Sequence, residues 1–259
     1  MKYYRYIISL IGILSIFSCA HTEKWNDIHT VKVEAEAIAP KKATTTEIGD
    51  TITTPPYDIT VDMEFMDTTS IENREACNKI NTYLIEEFLN QKGELDCNKA
   101  VDAFIENLKA QYAQDDISRQ IFDHYTGKAV YGKEGVINYI LVENYYSGGA
   151  HPTSVTSILR FDTNTGEKID LNGFFNDTCQ YVLCDRLINR LMADKGVPTI
   201  DSLHAIGYLE VGDMFVSENF ILNKDSISFF YNQYDIAPYA CGTTTISFSY
   251  EELKDYIRK

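Results

Sequence analysis

The sequence predicts an α+β domain in which helices pack on a mostly antiparallel sheet, with a smaller N-terminal and a larger C-terminal region. Three observations predict this fold class. Two amphipathic helical patterns follow one alternating strand near residue 60, which argues against a β-sandwich. Several later runs are rich in tyrosine, valine and isoleucine, and short turn sequences join them as in antiparallel hairpins. The chain contains no internal repeat.

The N-terminal half of this domain changes from strand-like to helical periodicity. Ile59, Val61, Met63 and Phe65 alternate with polar residues and predict a strand with one buried face. Residues 69–72, with the sequence Thr-Ser-Ile-Glu, fit a capping box that begins a helix. Two helical faces are predicted after it: Cys77, Ile80, Leu84 and Phe88, then Val101, Phe104, Ile105, Leu108 and Tyr112.

The remainder alternates between predicted strands and short helices. Residues 121–131 and 136–146 predict a hairpin around a Gly-Lys-Glu-Gly turn. A strand at about 154–162 ends at a turn, after which residues 168–171 pair back. A helix capped by Asp177 is predicted next, and its apolar face is Tyr181, Cys184, Leu187, Ile188 and Leu191. A helical turn near 202–205 follows. The last predicted elements are a strand at about 219–232 with a bend near 224–225, a strand at 243–249 and a short helix capped by Ser249.

The N-terminus has the parts of a secretory signal. Lys2 and Arg5 precede an uncharged apolar run of about 12 residues, too short for the roughly 20 that span a bilayer. The following Ile16-Phe17-Ser18-Cys19 resembles the lipobox of bacterial lipoproteins. We expect residues 1–18 to be a lipoprotein signal peptide, and Cys19 to carry the lipid, including palmitate, that anchors the exported chain on the periplasmic or cell-surface side of a membrane. The alternative is ordinary signal cleavage.

A polar, threonine-rich segment separates this anchor from the domain. Residues 19–56 are predicted to be a flexible tether, although charged and apolar residues alternate at 31–38 and would suit a short strand. The domain then divides into an N-terminal region, 57–145, and a C-terminal region, 146–259. Five cysteines remain besides Cys19, in surroundings that permit disulfides, so at least one stays free or pairs elsewhere. Their pairing stays open.

The chain is strongly acidic. It has 38 acidic and 23 basic residues, a net charge of −15, which becomes −17 when Lys2 and Arg5 leave with the signal peptide. This charge argues against nucleic acid or anionic lipid as a partner and would attract a cationic protein, although solubility alone explains it equally well.

Two segments contain an unusual density of tyrosine, glycine and proline. Residues 145–152 supply the candidate ligand-binding residues Tyr145, Tyr146 and His151; the alternative is a tight connection between strands in which His151 bonds to backbone. Residues 231–242 form a rigid loop that supplies Tyr234, Asp235 and Tyr239, because tyrosine suits binding interfaces. The alternative is a loop that covers its own core.

Catalytic and metal-binding signatures are missing from the sequence. It contains no H-E-x-x-H, G-x-S-x-G, C-x-x-C or phosphate-binding glycine loop. We therefore predict no catalytic residue, no metal and no cofactor, and the chain is more simply a binding protein than an enzyme.

The two tyrosine-rich segments resemble a bacterial envelope domain. Residues 143–152, followed by Phe161-Asp162, Thr165-Gly166-Glu167-Lys168, Asp170-Leu171 and Phe174-Phe175, are similar to the domain shared by the extracellular part of the anti-sigma factor RsiV and the non-catalytic region of the peptidoglycan deacetylase PdaC. Residues 231–242 resemble its C-terminal signature, and the resemblance covers about 57–257. It implies an α+β fold. In RsiV this domain binds lysozyme, but the sequence lacks the H-x-x-x-H pair of a deacetylase.

Three hypotheses follow. The first is an envelope lipoprotein that binds a lysozyme-like muramidase or peptidoglycan, with the tyrosines and His151 on an exposed groove or loop. The second is a cell-wall glycan hydrolase, which requires two carboxylates about 5–10 Å apart or one beside His151. The third is a structural protein in which both segments are buried.

Overall fold

A computed structural model describes residues 28–39, 42–45, 51–54, 57–69, 73–112, 121–176 and 180–258. The predicted signal peptide, Cys19 and Asp177 lie outside these residues, as do residues 70–72 of the predicted capping box. None of the described helices is long and apolar enough to cross a membrane.

The fold is α+β, as predicted. Its five-stranded sheet has the order β1-β4-β5-β6-β7, and its three-stranded sheet has the order β10-β9-β8. All neighbours are antiparallel except β4 and β5, which run parallel. The strands are β1 Thr30–Ala39, β2 Lys42–Thr45, β3 Thr51–Thr54, β4 Tyr57–Met66, β5 Ile121–Tyr131, β6 Val136–Tyr146, β7 Thr153–Asp162, β8 Phe220–Leu222, β9 Ser226–Tyr231 and β10 Thr244–Ser249.

The two helices of the first core bury the faces that the periodicity predicts. The π-helical turn Leu84–Phe88 continues the first helix and keeps its apolar residues over the sheet. A 3₁₀ turn at Tyr239–Cys241 precedes β10. The α-helices are α1 Arg74–Tyr83, α2 Cys97–Tyr112, α3 Leu171–Phe174, α4 Gln180–Lys195, α5 Ile200–Ala205 and α6 Tyr250–Leu253.

Part of the predicted tether is a strand. Residues 30–39 form β1, which pairs along its whole length with β4, in agreement with the strand-like alternation at 31–38. Val33 turns toward the helices and is buried, whereas Glu34 and Glu36 face outward. Residues 42–45 and 51–54 pair with each other as β2 and β3. The prediction of a flexible tether across all of residues 19–56 is therefore wrong, because β1 is the edge strand of the larger sheet.

The domain has two cores, and the boundary between them lies later in the chain than the predicted boundary between residues 145 and 146. The first core lies between the five-stranded sheet, α1 and α2, and the second lies around the three-stranded sheet, α3, α4, α5 and α6. Phe161 belongs to the first core and Leu171 to the second. Because β6 and β7 are one hairpin of the larger sheet, no change of core occurs at residue 145. The N-terminal region, predicted to be smaller, thus contains the larger sheet.

Two local predictions also differ from the structure. Residues 168–171 make a single bridge, between Lys168 and Phe161, because Asp170 accepts a hydrogen bond from the Gly173 amide at 2.6 Å and starts α3. The predicted strand at 219–232 is two antiparallel strands, β8 and β9. The bend near 224–225 is their hairpin turn.

A buried arginine joins the two regions. Arg160 is 1% exposed and donates hydrogen bonds to the carbonyl oxygens of Ile158, Ile169, Glu218 and Phe220 at 2.7–3.0 Å. Its guanidinium carbon lies 3.6 Å from the Phe220 ring centroid. Burial lowers the pKa of Arg160 to about 10, so the group remains charged at neutral pH. The Arg160 guanidinium thereby connects four carbonyl groups that belong to the two regions.

Asparagine side chains make further connections between the regions. The Asn138 amide accepts from the Leu222 N–H at 3.0 Å and donates to its carbonyl at 3.1 Å. Asn219 accepts from the Ile158 N–H at 3.0 Å and donates to the Thr156 carbonyl at 3.0 Å. An amide side chain presents the same donor and acceptor as a peptide group, so it can replace a neighbouring strand.

Candidate functional site

The first tyrosine-rich segment is the connection between β6 and β7. Tyr146 ends β6, and its hydroxyl donates to the Gly149 carbonyl at 3.0 Å across the loop. Gly148 and Gly149 have φ values of 104° and 125°, a conformation that favours glycine. The loop therefore turns sharply and delivers His151 just before β7.

The second segment follows β9 as a tight turn. The Asn232 N–H donates to the Asp235 carboxylate at 2.7 Å, and the Tyr234 N–H donates to the Ala237 carbonyl at 2.9 Å. Tyr234 itself has a φ of 72°, which is uncommon for a residue with a side chain. The turn directs Tyr234 toward the first segment. It directs Tyr239, four residues after Asp235, the same way.

Asn232 connects this turn to the larger sheet. Its side-chain oxygen accepts from the Thr156 N–H at 2.7 Å, and its NH₂ donates to the Thr156 carbonyl at 3.0 Å. Because Thr156 lies in β7, immediately after the first segment, this pair of bonds sets the distance between the two segments.

The two segments meet at an aromatic cluster of His151, Tyr234 and Tyr239. The His151 ring stacks on Tyr239 with centroids 3.6 Å apart and planes 20° apart, and its centroid lies 6.4 Å from that of Tyr234. His151 Nδ1 lies 3.1 Å from the Pro152 carbonyl oxygen, and Nε2 lies 3.2 Å from the Tyr234 hydroxyl. Since a carbonyl only accepts, Nδ1 carries a proton, and in the neutral ring Nε2 accepts from Tyr234.

The cluster is partly open to solvent. Tyr234 is 52% exposed, and His151 and Tyr239 are half-buried. Both ring nitrogens of His151 already have partners, so the arrangement fits a fixed aromatic surface better than a free catalytic base. The part of the chain that the structure describes places no carboxylate in an ion pair with His151.

The other predicted ligand-binding residues lie outside the cluster. Tyr145 is half-buried in β6, opposite Asp123 and Thr153, and Asp235 uses its carboxylate to hold the Asn232 amide. Tyr146 faces away from the helices and stacks on Phe122, with centroids 6.1 Å apart. Of the six predicted ligand-binding residues, the structure brings three together in the aromatic cluster. Tyr146 lies at the other end of the loop that carries His151.

A row of rings that the sequence interpretation missed continues from Tyr146. Phe122 stacks on Tyr146, and the centroids of Phe122 and His124 are 5.1 Å apart. His124 Nε2 lies 3.3 Å from the Asp58 carboxylate on the neighbouring strand. Alternation in β5 could have revealed the row, because Ile121 and Asp123 are buried and the even-numbered residues therefore face the other side.

A pair of carboxyl groups, one buried and one half-buried, also escaped the sequence interpretation. Asp123 is 4% exposed and accepts from the Tyr112 hydroxyl at 2.7 Å and the Tyr125 hydroxyl at 2.9 Å. The Tyr125 hydroxyl also lies 3.3 Å from the Glu143 carboxylate. Burial raises the pKa of Asp123; burial, and then the charge of Asp123, raise the pKa of Glu143. The sequence signal that could have revealed this pair was an acidic residue at a strand position that faces the helices.

Cysteines and metal ligands are dispersed in the described residues. These contain no group of three or more His, Cys, Asp or Glu side chains that could hold a metal ion. Cys77, Cys97, Cys184 and Cys241 are free thiols, and burial raises the pKa of Cys97 to about 11. Cys179 lies outside the described residues.

Comparisons with known proteins agree with the resemblance carried by the two segments. Residues 172–251 match the model of a family described as a protein of unknown function, DUF3298. The second segment lies inside the matched residues, whereas the first segment precedes them.

Solved structures extend the likeness over most of the chain. A DUF3298 family member from Bacteroides fragilis NCTC 9343 is similar with a TM-score of 0.70 and 26% identity, over 90% of this chain and 96% of that chain. A DUF3298 family protein from Pseudomonas aeruginosa PAO1 is similar with a TM-score of 0.62 and 13% identity, over 90% and 95%; at this identity the likeness concerns the fold alone. A search of curated protein sequences gives no match.

Proposed function

We propose that this protein is a ligand-binding module of the bacterial cell envelope. In this proposal the chain is exported, is anchored to a membrane through a lipid on Cys19, and captures a lysozyme-like muramidase or peptidoglycan. The binding site is the aromatic cluster of His151, Tyr234 and Tyr239.

The observation that supports this proposal is the meeting of two distant segments at one partly open group of rings. A core would bury such rings, yet Tyr234 is half-exposed in a strained backbone conformation. Aromatic side chains offer a large contact area at low entropic cost, and the bonds of His151 and Asn232 hold the cluster in place before a ligand arrives. A preorganised aromatic surface is typical of recognition sites.

The two ligand classes make different demands on the protein. A cationic muramidase would be attracted by the net charge of −17 that remains after Lys2 and Arg5 are removed, which speeds encounter and makes binding salt-dependent. A glycan would depend on ring stacking, which salt affects little. The salt dependence of binding therefore separates the two.

The experiment measures binding of the chain from Cys19 onward, carrying Cys19→Ser to remove the lipid. Ligands are a C-type lysozyme and insoluble peptidoglycan, each at low salt and at about 150 mM salt. We expect Tyr239→Leu to weaken binding about tenfold and Tyr239→Phe to retain it, because only the first removes the ring under His151. The control is Phe215→Leu, an exposed aromatic outside the cluster.

Either of two results would reject the cluster as the site: wild-type binding to neither ligand, or equal binding by Tyr239→Leu and Phe215→Leu. Anchoring is tested separately. Labelled palmitate should enter the membrane-bound wild type and should be absent from the Cys19→Ser chain.

A second candidate function, glycan hydrolysis, is favoured by one observation. Asp123 and Glu143 both lie within hydrogen-bonding distance of the Tyr125 hydroxyl, and both have raised pKa values, as a general acid requires. If the pair is catalytic, release of reducing ends from peptidoglycan should disappear in Glu143→Gln and persist in Glu106→Gln, which changes an exposed acid. Absence of release by the wild type would eliminate this candidate.

A further inference from the structure

We propose that β1, the edge strand of the larger sheet, pairs antiparallel with β1 of a second copy of this chain. The larger sheets of the two copies would then form one continuous sheet. This edge is the one opposite β7, whereas the aromatic cluster lies next to β7. The inference therefore goes beyond the function proposed for the cluster and does not depend on it.

The two edges of the larger sheet end in different ways. At the β7 edge, the side chains of Asn232 and Asn219 bond to the backbone of Thr156 and Ile158, so the second region occupies that edge. At the other edge, β1 pairs with β4 over all 10 of its residues, and no strand of the described residues pairs with its other side. An unpaired side presents N–H and C=O groups that can bond to another strand.

One hydrogen bond identifies the backbone groups of β1 that face outward. The Asp67 N–H donates to the His29 carbonyl at 2.7 Å, so the odd-numbered residues of the ladder bond to β4. Within β1 the outward-facing groups thus belong to Thr30, Lys32, Glu34, Glu36 and Ile38. The strand contains neither a proline nor a bulge, which are two of the features that block an edge against further pairing.

The charges of β1 complement those of a second copy. When Val33 of one copy lies opposite Val33 of the other, each Lys32 lies opposite Glu34 of the other copy, and each Thr30 lies opposite Glu36. These pairs join outward-facing residues of both strands, as an antiparallel ladder requires. The Lys32 and Glu34 side chains are 49% and 66% exposed, and opposite charges at facing positions stabilise a strand pair. A register shifted by two residues would instead place Glu34 opposite itself.

The same register covers exposed apolar surface. Val31 lies on the helix-facing side of β1, as Val33 does, yet it is 52% exposed. In the paired strands it lies opposite Ala35 of the second copy, which removes apolar surface of both from water. Because two edge strands bury less area than the interface of a tight dimer, we expect an affinity in the micromolar range.

The test is sedimentation equilibrium of the chain from Cys19 onward, with Cys19→Ser, at about 1 to 200 μM. A reductant excludes disulfide-linked dimers. We expect the wild type to dimerise, and Lys32→Glu and Glu34→Lys each to weaken dimerisation at least about tenfold by placing like charges opposite each other. An equimolar mixture of these two variants should dimerise again, because two acids of one chain then face two lysines of the other. Glu251→Lys, an exposed charge reversal in the second region, is the control.

A proline variant tests the backbone pairing itself. The N–H of residue 34 faces outward, so Glu34→Pro should preserve the pairing of β1 with β4, keep the thermal midpoint near that of the wild type and abolish dimerisation. If Glu34→Pro does not fold, the two charge variants and their mixture decide the question.

Three results would overturn the inference. They are a wild type that stays monomeric over the whole concentration range, a dimer as tight in Lys32→Glu and Glu34→Lys as in the wild type, and a mixture of these variants that dimerises no better than either alone. Tyr239→Leu leaves β1 unchanged and should dimerise like the wild type, so this inference and the proposed function fail separately.

Discussion

The two regions of the molecule are held together by different kinds of hydrogen bond. In the first region, strands of 10 or 11 residues pair over most of their lengths, so backbone bonds determine the geometry. In the second, β8 to β10 have 3 to 6 residues, and side chains fasten the loops between them. The site lies at the junction, where Arg160, Asn138, Asn219 and Asn232 replace backbone pairing.

This difference has a consequence for single substitutions. A strand pair shares its stability among many bonds, whereas each junction side chain makes two or more hydrogen bonds by itself. We therefore expect the second region and the aromatic cluster to be more sensitive to polar substitutions than the first region is.

The largest expected effect is that of Arg160→Met. The methionine leaves four carbonyls without this donor, two of them buried and two partly buried, so the free energy of unfolding should fall by about 3–5 kcal/mol. Urea denaturation measures it. The control is Arg190→Met, whose half-exposed ion pair with Glu252 should be worth less than about 1 kcal/mol. Equal losses in the two variants would show that the junction does not depend on Arg160.

The second prediction compares the same chemistry in each region. Asn81 forms two hydrogen bonds of 2.8 Å with the Met66 backbone in the first region, as Asn232 does with Thr156 at the junction. Asn81→Ala and Asn232→Ala should each lower the free energy of unfolding by about 1–3 kcal/mol. Only Asn232→Ala should also weaken ligand binding, because it releases the turn that carries Tyr234.

Measuring both variants by denaturation and by lysozyme or peptidoglycan binding completes the comparison. The distinction between the regions would be refuted if Asn81→Ala impaired binding as strongly as Asn232→Ala. It would also fail if Asn232→Ala left binding intact despite a normal loss of stability.

The same difference explains how far the sequence predicted the structure. The content of tyrosine, valine and isoleucine, with the Gly-Lys-Glu-Gly turn between the two runs, located β5 and β6 to the residue. The amide bonds of Asn138 and Asn232 leave no periodic trace, because the partner of each is backbone about 80 residues away. Tyrosine density did select both segments of the cluster. It could not reveal the contact of Phe122 with Tyr146, which depends on the register of β5 with β6.

The third prediction concerns the buried acid of the first region. A carboxyl whose pKa is raised in the folded state contributes stability below its ordinary pKa, and this is lost as pH rises through the folded pKa. For Asp123 the loss begins above about pH 4. Asp123→Asn should remove it, so the variant should gain stability relative to wild type as pH rises from about 4 to 7. Urea unfolding across this range measures the difference, and a constant difference would contradict the assignment.

The smallest expected effect contrasts helix caps in the two regions. Ser249 forms a complete capping box, in which its hydroxyl accepts from the Glu252 N–H at 3.3 Å and its own N–H donates to the Glu252 carboxylate at 2.8 Å. Asn73, at the start of α1, makes no side-chain cap bond. Ser249→Ala should therefore cost about 1 kcal/mol and Asn73→Ala less than about 0.5 kcal/mol, measured by thermal and urea unfolding. If Asn73→Ala proved the more costly, side-chain bonds would matter as much to the first region as to the second, and the contrast between the regions would be confined to Arg160 and the asparagines.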